Sequence, residues 1–291
     1  MPSLKLLRNR INSVKSTRKI TSAMKMVAAA KLRRAQAQAE AARPYARRMA
    51  QMMAALALAE ADNPNAAPML VGNGKDKIHL LVAMTADRGL AGAFNSNIGR
   101  AVRIKAQTLL AEGKSVKILA VGRKGRDYFK REMNDAMAGD VNFVGRKTIE
   151  FADAEAIAQT IVKMFRADEF DVCTLVYNRF HSVMTQTVTE TPLIPTAPGG
   201  VNDNGAPDNY EIEPDDGTLL ERLLPRNLAV QIYAALLENS AGFYAAQMTA
   251  MDNATRNAGD MIKRLTLSYN RARQANITTE LIEIIAGAEA V

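Results

Sequence analysis

The stretch Thr85-Ala86-Asp87-Arg88-Gly89-Leu90-Ala91-Gly92 follows an apolar run and precedes a helical pattern, where a dinucleotide-binding fold puts its phosphate loop. Its glycines fit neither GxGxxG nor GxxxxGK(S/T), and Asp87 would set a negative charge against the phosphates. Helix capping by Asp87 or Thr85, with the glycines in a tight turn, is the better reading of those residues. Val121-Gly122-Arg123-Lys124 and Val144-Gly145-Arg146-Lys147 repeat a basic turn that could hold a phosphate; solvated strand ends are the commoner explanation of such turns. His79 stands mid-strand, His181 in a turn and Cys173 at the start of a buried strand. They form no triad and no metal set, and no carboxylates are paired for acid–base work. The pattern therefore assigns no catalytic, cofactor-binding or metal residue.

The elements that carry these residues alternate. Lys77–Met84, Val116–Val121 and Val172–Tyr177 read as buried strands, Val141–Val144 as a further one, and Val183–Thr189 as the return of a hairpin around Asn178–Ser182. Asn95–Leu110, Lys124–Glu132 and Ala152–Phe165 read as helices. Such alternation gives an open, Rossmann-like α/β domain with an antiparallel hairpin at one edge. It spans residues 61–217, ending in a Pro-, Gly-, Asn- and Asp-rich stretch over 192–217 that reads as an acidic loop. The single Cys173 excludes a disulfide framework and a cysteine zinc site.

Residues 1–60 and 218–291 behave differently. From Ser3 to Leu58 there is no glycine, and Leu4, Leu7, Ile11 and Val14 hold heptad spacing, continued as an apolar stripe by Ile20, Met24 and Val27. The stretch up to Pro44 alone is about 60 Å of helix at about 1.5 Å per residue. In the last part Pro225 reads as the end of a short helix. From Arg226 to Ala286 only Gly242 and Gly259 interrupt the pattern, and Ala258, Met261, Leu265, Ser268, Ala272 and Ala275 keep heptad spacing. A compact chain of this length is about 50 Å across. Neither helix fits inside it, so the two are expected to pair as a long antiparallel coiled coil. Ile277, Leu281, Ile282, Ile284 and Ile285 then cover an arc of roughly 160°, wider than a two-stranded seam needs, and mark a partner surface.

Charge is distributed unevenly. The net charge is +8, with 48% hydrophobic and 23% charged residues, a globular composition. Residues 1–60 carry thirteen Lys and Arg against Glu40 and Glu60, whereas 192–218 carry six acids and no base. A basic first helix suits a polyanion, either nucleic acid or an acidic protein surface. With Tyr45 its lone aromatic and its bases spread around the helix, it lacks the interleaved stripe of a nucleic-acid reader. Asn227–Met251 is low in charge, but Gln231, Glu238, Asn239 and Gln247 are costly in lipid, so it reads as a helix buried against protein rather than a membrane span.

Three blocks carry a resemblance. They are Ile20-Thr21-Ser22-Ala23-Met24-Lys25-Met26-Val27-Ala28-Ala29-Ala30-Lys31-Leu32, then Asp87 to Asn97 (DRGLAGAFNSN), then Tyr269 to Gln274 (YNRARQ) with Ile277 to Ala288 (ITTELIEIIAGA). In content, order and spacing the chain resembles the gamma subunit of F-type ATP synthases over essentially its whole length. The resemblance implies a non-catalytic central rotor shaft without cofactors, turning inside a hexamer of alpha and beta subunits and joined at its base to the epsilon subunit and the c-subunit ring. Proton flow would turn ring and shaft and drive the beta sites through successive conformations. Carried over by position, Met24, Lys25, Arg273 and Gln274 match beta-subunit contacts. Tyr210 and Glu213 lie in the segment resembling the c-ring foot, and the Ile277–Ile285 tip matches a bearing. Nucleic-acid partners and membrane insertion are not implied. With no leader segment ahead of the helix, the expected location is the cytoplasmic face of a bacterial inner membrane, as a peripheral protein. Around Ala241–Met248 the family often has Ser-Glu-Gln and then Arg, where this chain has Gly242, Phe243, Tyr244 and Gln247, so a polar contact is expected to be lost or replaced by apolar packing. Ala91 stands where a cysteine is common, and one cysteine cannot form the thiol switch of plastid forms.

Overall fold

A computed structural model describes residues 3–59, 63, 66–146, 148–196 and 216–289. The chain divides into two compact units, one of residues 30–246 and one of residues 1–29 with 247–291. The helices α1 (Leu4–Ala59) and α6 (Asp216–Glu289) contribute to both.

The larger unit is built on a five-stranded sheet. Its strands are β1 (Ile78–Met84), β2 (Ser115–Val121), β3 (Met137–Val141), β4 (Val172–Phe180) and β5 (Gln186–Ile194), in the order β3-β2-β1-β4-β5. All neighbours are parallel except the β4–β5 edge pair. As the central parallel strand, β1 is covered on both faces, which is why it is an unbroken apolar run. Alternate residues serve opposite layers. Leu80, Val82 and Met84 pack with α5 (Phe151–Arg166) and with Leu228, Ala229, Ile232 and Leu236 of α6. Leu81 and Ala83 pack with α3 (Phe94–Ala111) and α4 (Arg123–Glu132). The stripe Phe94, Ile98, Val102, Ala106 and Leu109 supplies the buried face of α3. The short α2 (Pro68–Val71) joins Met49, Met53 and Leu56 of α1 and Leu224 and Val230 of α6 in a third cluster.

The start of β1 is tied to that of β4 by one buried carboxylate. Asp171 accepts from Asn73 Nδ2 and from the backbone N–H groups of Lys77 and Ile78, each at 2.9 Å. Burial alone would raise its pKa, but these donors outweigh burial and hold it below the usual carboxylate range. A carboxyl lowered in the folded state contributes stability in full above its unfolded pKa of about 3.9, and loses it as pH falls through the folded value. Asp171→Asn is therefore expected to cost about 2 kcal/mol near neutral pH. Urea titrations should show that cost shrinking below about pH 4; a difference that stays constant down to strong acid would mean the charge has no part in it.

Several boundaries depart from the sequence reading. The third strand lies at Met137–Val141, ahead of the expected Val141–Val144. The hairpin return starts at Gln186 rather than Val183 and continues through Pro192 to Ile194, three residues into the expected loop; as an edge strand it tolerates a residue with no N–H. Helix α6 passes through Pro225 instead of ending there. An internal proline costs about 3 kcal/mol, and apolar burial of Leu224, Leu228 and Val230 on either side offsets it. Pro44 likewise lies inside α1. Asn227–Met251 is mostly buried against protein in α6, and no helix among the described residues is long and apolar enough to cross a membrane.

Candidate partner-binding site

The loop after β1 spends its polar groups on its own fold. Asp87 accepts from the Arg123 N–H at 2.9 Å and the Phe143 N–H at 3.0 Å, and Thr85 Oγ1 accepts from the Gly125 N–H at 2.7 Å. These side chains satisfy the first turn of α4, whose N-cap, Gly122, has no side chain to offer. Capping is thus their role, as the residue types suggested, but of α4 rather than of the helix that follows them in sequence. The crevice beyond the carboxyl ends of β1 and β4 is where an open α/β sheet takes a ligand. Here Asn239 of α6 accepts from the Asn178 N–H at 3.2 Å, and Gly242 packs beside Phe94. The second basic turn is also engaged: Arg146 forms an ion pair with Asp153 at the start of α5. His79 bonds Asp76 at 2.7 Å, and burial pushes the Cys173 thiol upward in pKa.

The residues carried over from the resemblance fall mainly in the smaller unit, where 3–29 of α1 and 247–289 of α6 lie antiparallel. The Thr21 hydroxyl accepts from Thr255 at 2.8 Å, and Lys25 Nζ lies 2.6 Å from Asp252, so rising numbers on one helix meet falling numbers on the other. Burial follows a heptad on both strands: Leu4, Leu7, Ile11, Val14, Thr21, Lys25 and Ala28 against Met251, Thr255, Ala258, Ile262, Leu265, Tyr269 and Ala272. This corrects the expected stripes. Ile20 and Val27 are exposed and Thr21 and Ala28 take the seam, while Met261 and Ser268 give way to Ile262 and Tyr269.

Lys25 is half-exposed but spoken for. Its ammonium, assisted by Arg256 at 2.6 Å from the other carboxylate oxygen, holds Asp252 below the usual carboxylate range although burial works the other way. Met24 is partly buried beside it. Arg273 and Gln274 lie 21 residues beyond Asp252, about 30 Å along the helix, so the two expected contacts are separate surfaces. Carried along the helices, the register of the two ties places Ser3 opposite Arg273 and Gln274. Both side chains are exposed, and neither has a side-chain partner among the described residues.

Beyond that point α6 has no helix beside it among the described residues. Ala275 is its last partly buried residue, and Ile277, Leu281, Ile282, Ile284 and Ile285 are 51–70% exposed. A lone helical end of about 20 Å with that apolar arc is unstable in water without a covering surface. Tyr210 and Glu213 lie outside the described residues. Sequence reasoning missed Asp252 and Thr255; the available signal was the alternative 4-3 heptad, which selects the larger apolar residues Ile262 and Tyr269 and puts Thr255 on the seam. Leu90, quoted in the loop after β1, is exposed at φ 63°, a conformation its residue type does not announce.

A Cys pair at Thr21 and Thr255 in a Cys173→Ser background is expected to crosslink within the chain, as is a pair at Val14 and Ile262. A pair at Val14 and Met248, which a parallel register would bring together, should not. Non-reducing electrophoresis of the oxidised variants reads the result, and crosslinking of the last pair would overturn the register.

A family model described as ATP synthase matches residues 3–291. The chain is 69% identical over 296 residues, covering all of both chains, to the ATP synthase gamma chain of Acidiphilium cryptum. Among solved structures it is similar to a chain of the Tetrahymena thermophila mitochondrial ATP synthase central stalk and c-ring, at 26% identity and a TM-score of 0.61, covering 81% of this chain and 99% of that one. It shares its fold with a chain of the Euglena gracilis mitochondrial enzyme at a TM-score of 0.67 and 19% identity, covering 99% and 94%.

Proposed function

The chain belongs to the ATP synthase gamma-chain family, and from that premise we propose that it is the central rotor shaft of an F-type, proton-translocating ATP synthase. In this reading it catalyses nothing itself. It turns with the c-subunit ring, is held at its base by the epsilon subunit, and stands inside a hexamer of alpha and beta subunits at the cytoplasmic face of a bacterial inner membrane. Each beta site changes its equilibrium because it contacts a different side of the shaft at each angle.

The observation that carries this reading is the unpartnered end of α6. Its apolar arc has no partner among the described residues, which suits a sleeve of other subunits around it. Below that end, Arg273 and Gln274 would meet a beta-subunit loop, and Met24 with the Lys25–Asp252 pair would face the beta lever. Tyr210 and Glu213 would touch the c-ring. Residues 1–60 and 218–291 would form the shaft, and 61–217 the collar around it. The engaged loop after β1 supports a role without bound nucleotide.

The test is affinity purification of the tagged chain from its native membranes. Alpha, beta, epsilon and c subunits should come down together, with ATP hydrolysis that the chain alone does not show. Recovery without alpha and beta would sink the proposal.

A further inference from the structure

The stretch of α6 from Asn239 to Tyr244 forms a joint in the larger unit. Gly242 is buried, and a Cβ there would lie 3.3 Å from the Phe94 ring, so α6 approaches the start of α3 closely. Phe243 meets Phe94 edge-on at 5.7 Å between centroids and Tyr244 at 5.4 Å. Lys31 of α1 sets its ammonium 5.5 Å from the centre of the Tyr244 ring. Behind the rings, buried Asn178 of β4 donates to the Phe94 carbonyl at 3.3 Å and, through its N–H, to Asn239. Four elements thus meet within six residues of α6.

Among the described residues, α6 packs on both layers of the sheet. One contact is the broad apolar face from Leu228 to Leu236 against the α5 layer. The other is this joint, and Phe243 is the buried residue that α6 contributes to the α3 and α4 layer among the described residues. Ring edges packed on ring faces and directional hydrogen bonds resist rotation about the helix axis, because a small turn breaks several at once. We infer that Phe94, Phe243, Tyr244 and Lys31 form the torque-bearing joint between the long helices and the sheet.

The inference rests on the rotor reading, and one experiment separates the two. The assembled complex is held by its catalytic subunits, and a probe is fixed to an exposed Met184→Cys in a Cys173→Ser background. The angular variance of the probe is inversely proportional to torsional stiffness. Phe243 makes both edge-on ring contacts of the joint, so Phe243→Ala should raise the variance on the order of two-fold. Phe243→Leu, which keeps most of the volume without the ring, should raise it less, and it serves where the alanine variant does not assemble. Tyr244→Phe keeps the ring and should leave the variance unchanged. Ile232→Ala removes buried bulk from the opposite layer, where neighbours share the load, and should also leave it unchanged. An unchanged variance in the Phe243 variants, or an equal rise in Ile232→Ala, overturns the joint while the rotor stands. A wild-type chain that neither assembles nor turns overturns both.

Discussion

Gly122→Ala is expected to destabilise the chain by about 3–5 kcal/mol, more than any surface change. Gly122 sits at φ +97°, its N–H donates to the Val141 carbonyl at 2.7 Å, and an added Cβ would stand 2.5 Å from the Thr85 carbonyl oxygen. The obstacle is backbone rather than a side chain that can swing away. Thr85 itself is fixed: its N–H donates to Val121 at 2.8 Å, and its hydroxyl accepts from Gly125. Relief would have to pull β1, β2 and α4 apart where they converge. Gly145 provides the control, since it has a similar φ of +89° and open space around it. Gly145→Ala should cost only the conformational strain, about 1 kcal/mol. Urea unfolding of both variants checks the pair, and equal losses would show that the close approach at Gly122 is not decisive.

The same neighbourhood shows what a sequence can and cannot disclose. The strands β1, β2 and β4 and the helices α3, α4 and α5 were legible because burial on two faces or along one stripe leaves a strong apolar period. The strand β3, read from Val141–Val144, lies instead in Met137–Val141, an edge segment including Gly139 and Asp140. Edge strands need little hydrophobicity, so the more apolar neighbour misled. In the paired helices the choice between Ile20 and Thr21, or Val27 and Ala28, turned on hydrophobicity, which points the wrong way here. Thr21 and Lys25 are seam residues because Thr255 and Asp252 stand across from them; the heptad of Leu4, Leu7, Ile11 and Val14, carried forward, is the one local trace, and their polarity masks it. Asp87 shows the middle case: its capping role was legible, but the helix it serves was not, because that depends on β1 and β2 lying side by side. The unpartnered tip was legible from the width of its apolar arc alone.

That tip begins just past the second large expected effect. Arg273→Ala combined with Gln274→Ala should lower ATP turnover of the assembled complex about ten-fold or more, while leaving the isolated chain's helicity and unfolding free energy nearly unchanged. Both side chains are exposed and lack side-chain partners among the described residues, so their removal breaks nothing within the chain. Alanine also favours the helix. They point about 100° apart and stand where the register brings α1 to its start. A fork of guanidinium donors beside an amide that donates and accepts suits a loop bearing carboxylates. Left exposed, such a pair contributes about 0–1 kcal/mol. Enclosed by a sleeve it contributes about 1.5–3 kcal/mol per charged hydrogen bond, and about 1.4 kcal/mol is already ten-fold. In the proposed rotor such a contact would break at the next angle, so its loss should affect the rate of stepping rather than assembly. Reconstituting wild-type and variant complexes and comparing hydrolysis at matched assembly yield gives the answer. Full turnover in a fully assembled variant would leave Arg273 and Gln274 as bystanders, and a loss of assembly equal to the loss of turnover would make them an anchor instead of a step in the cycle.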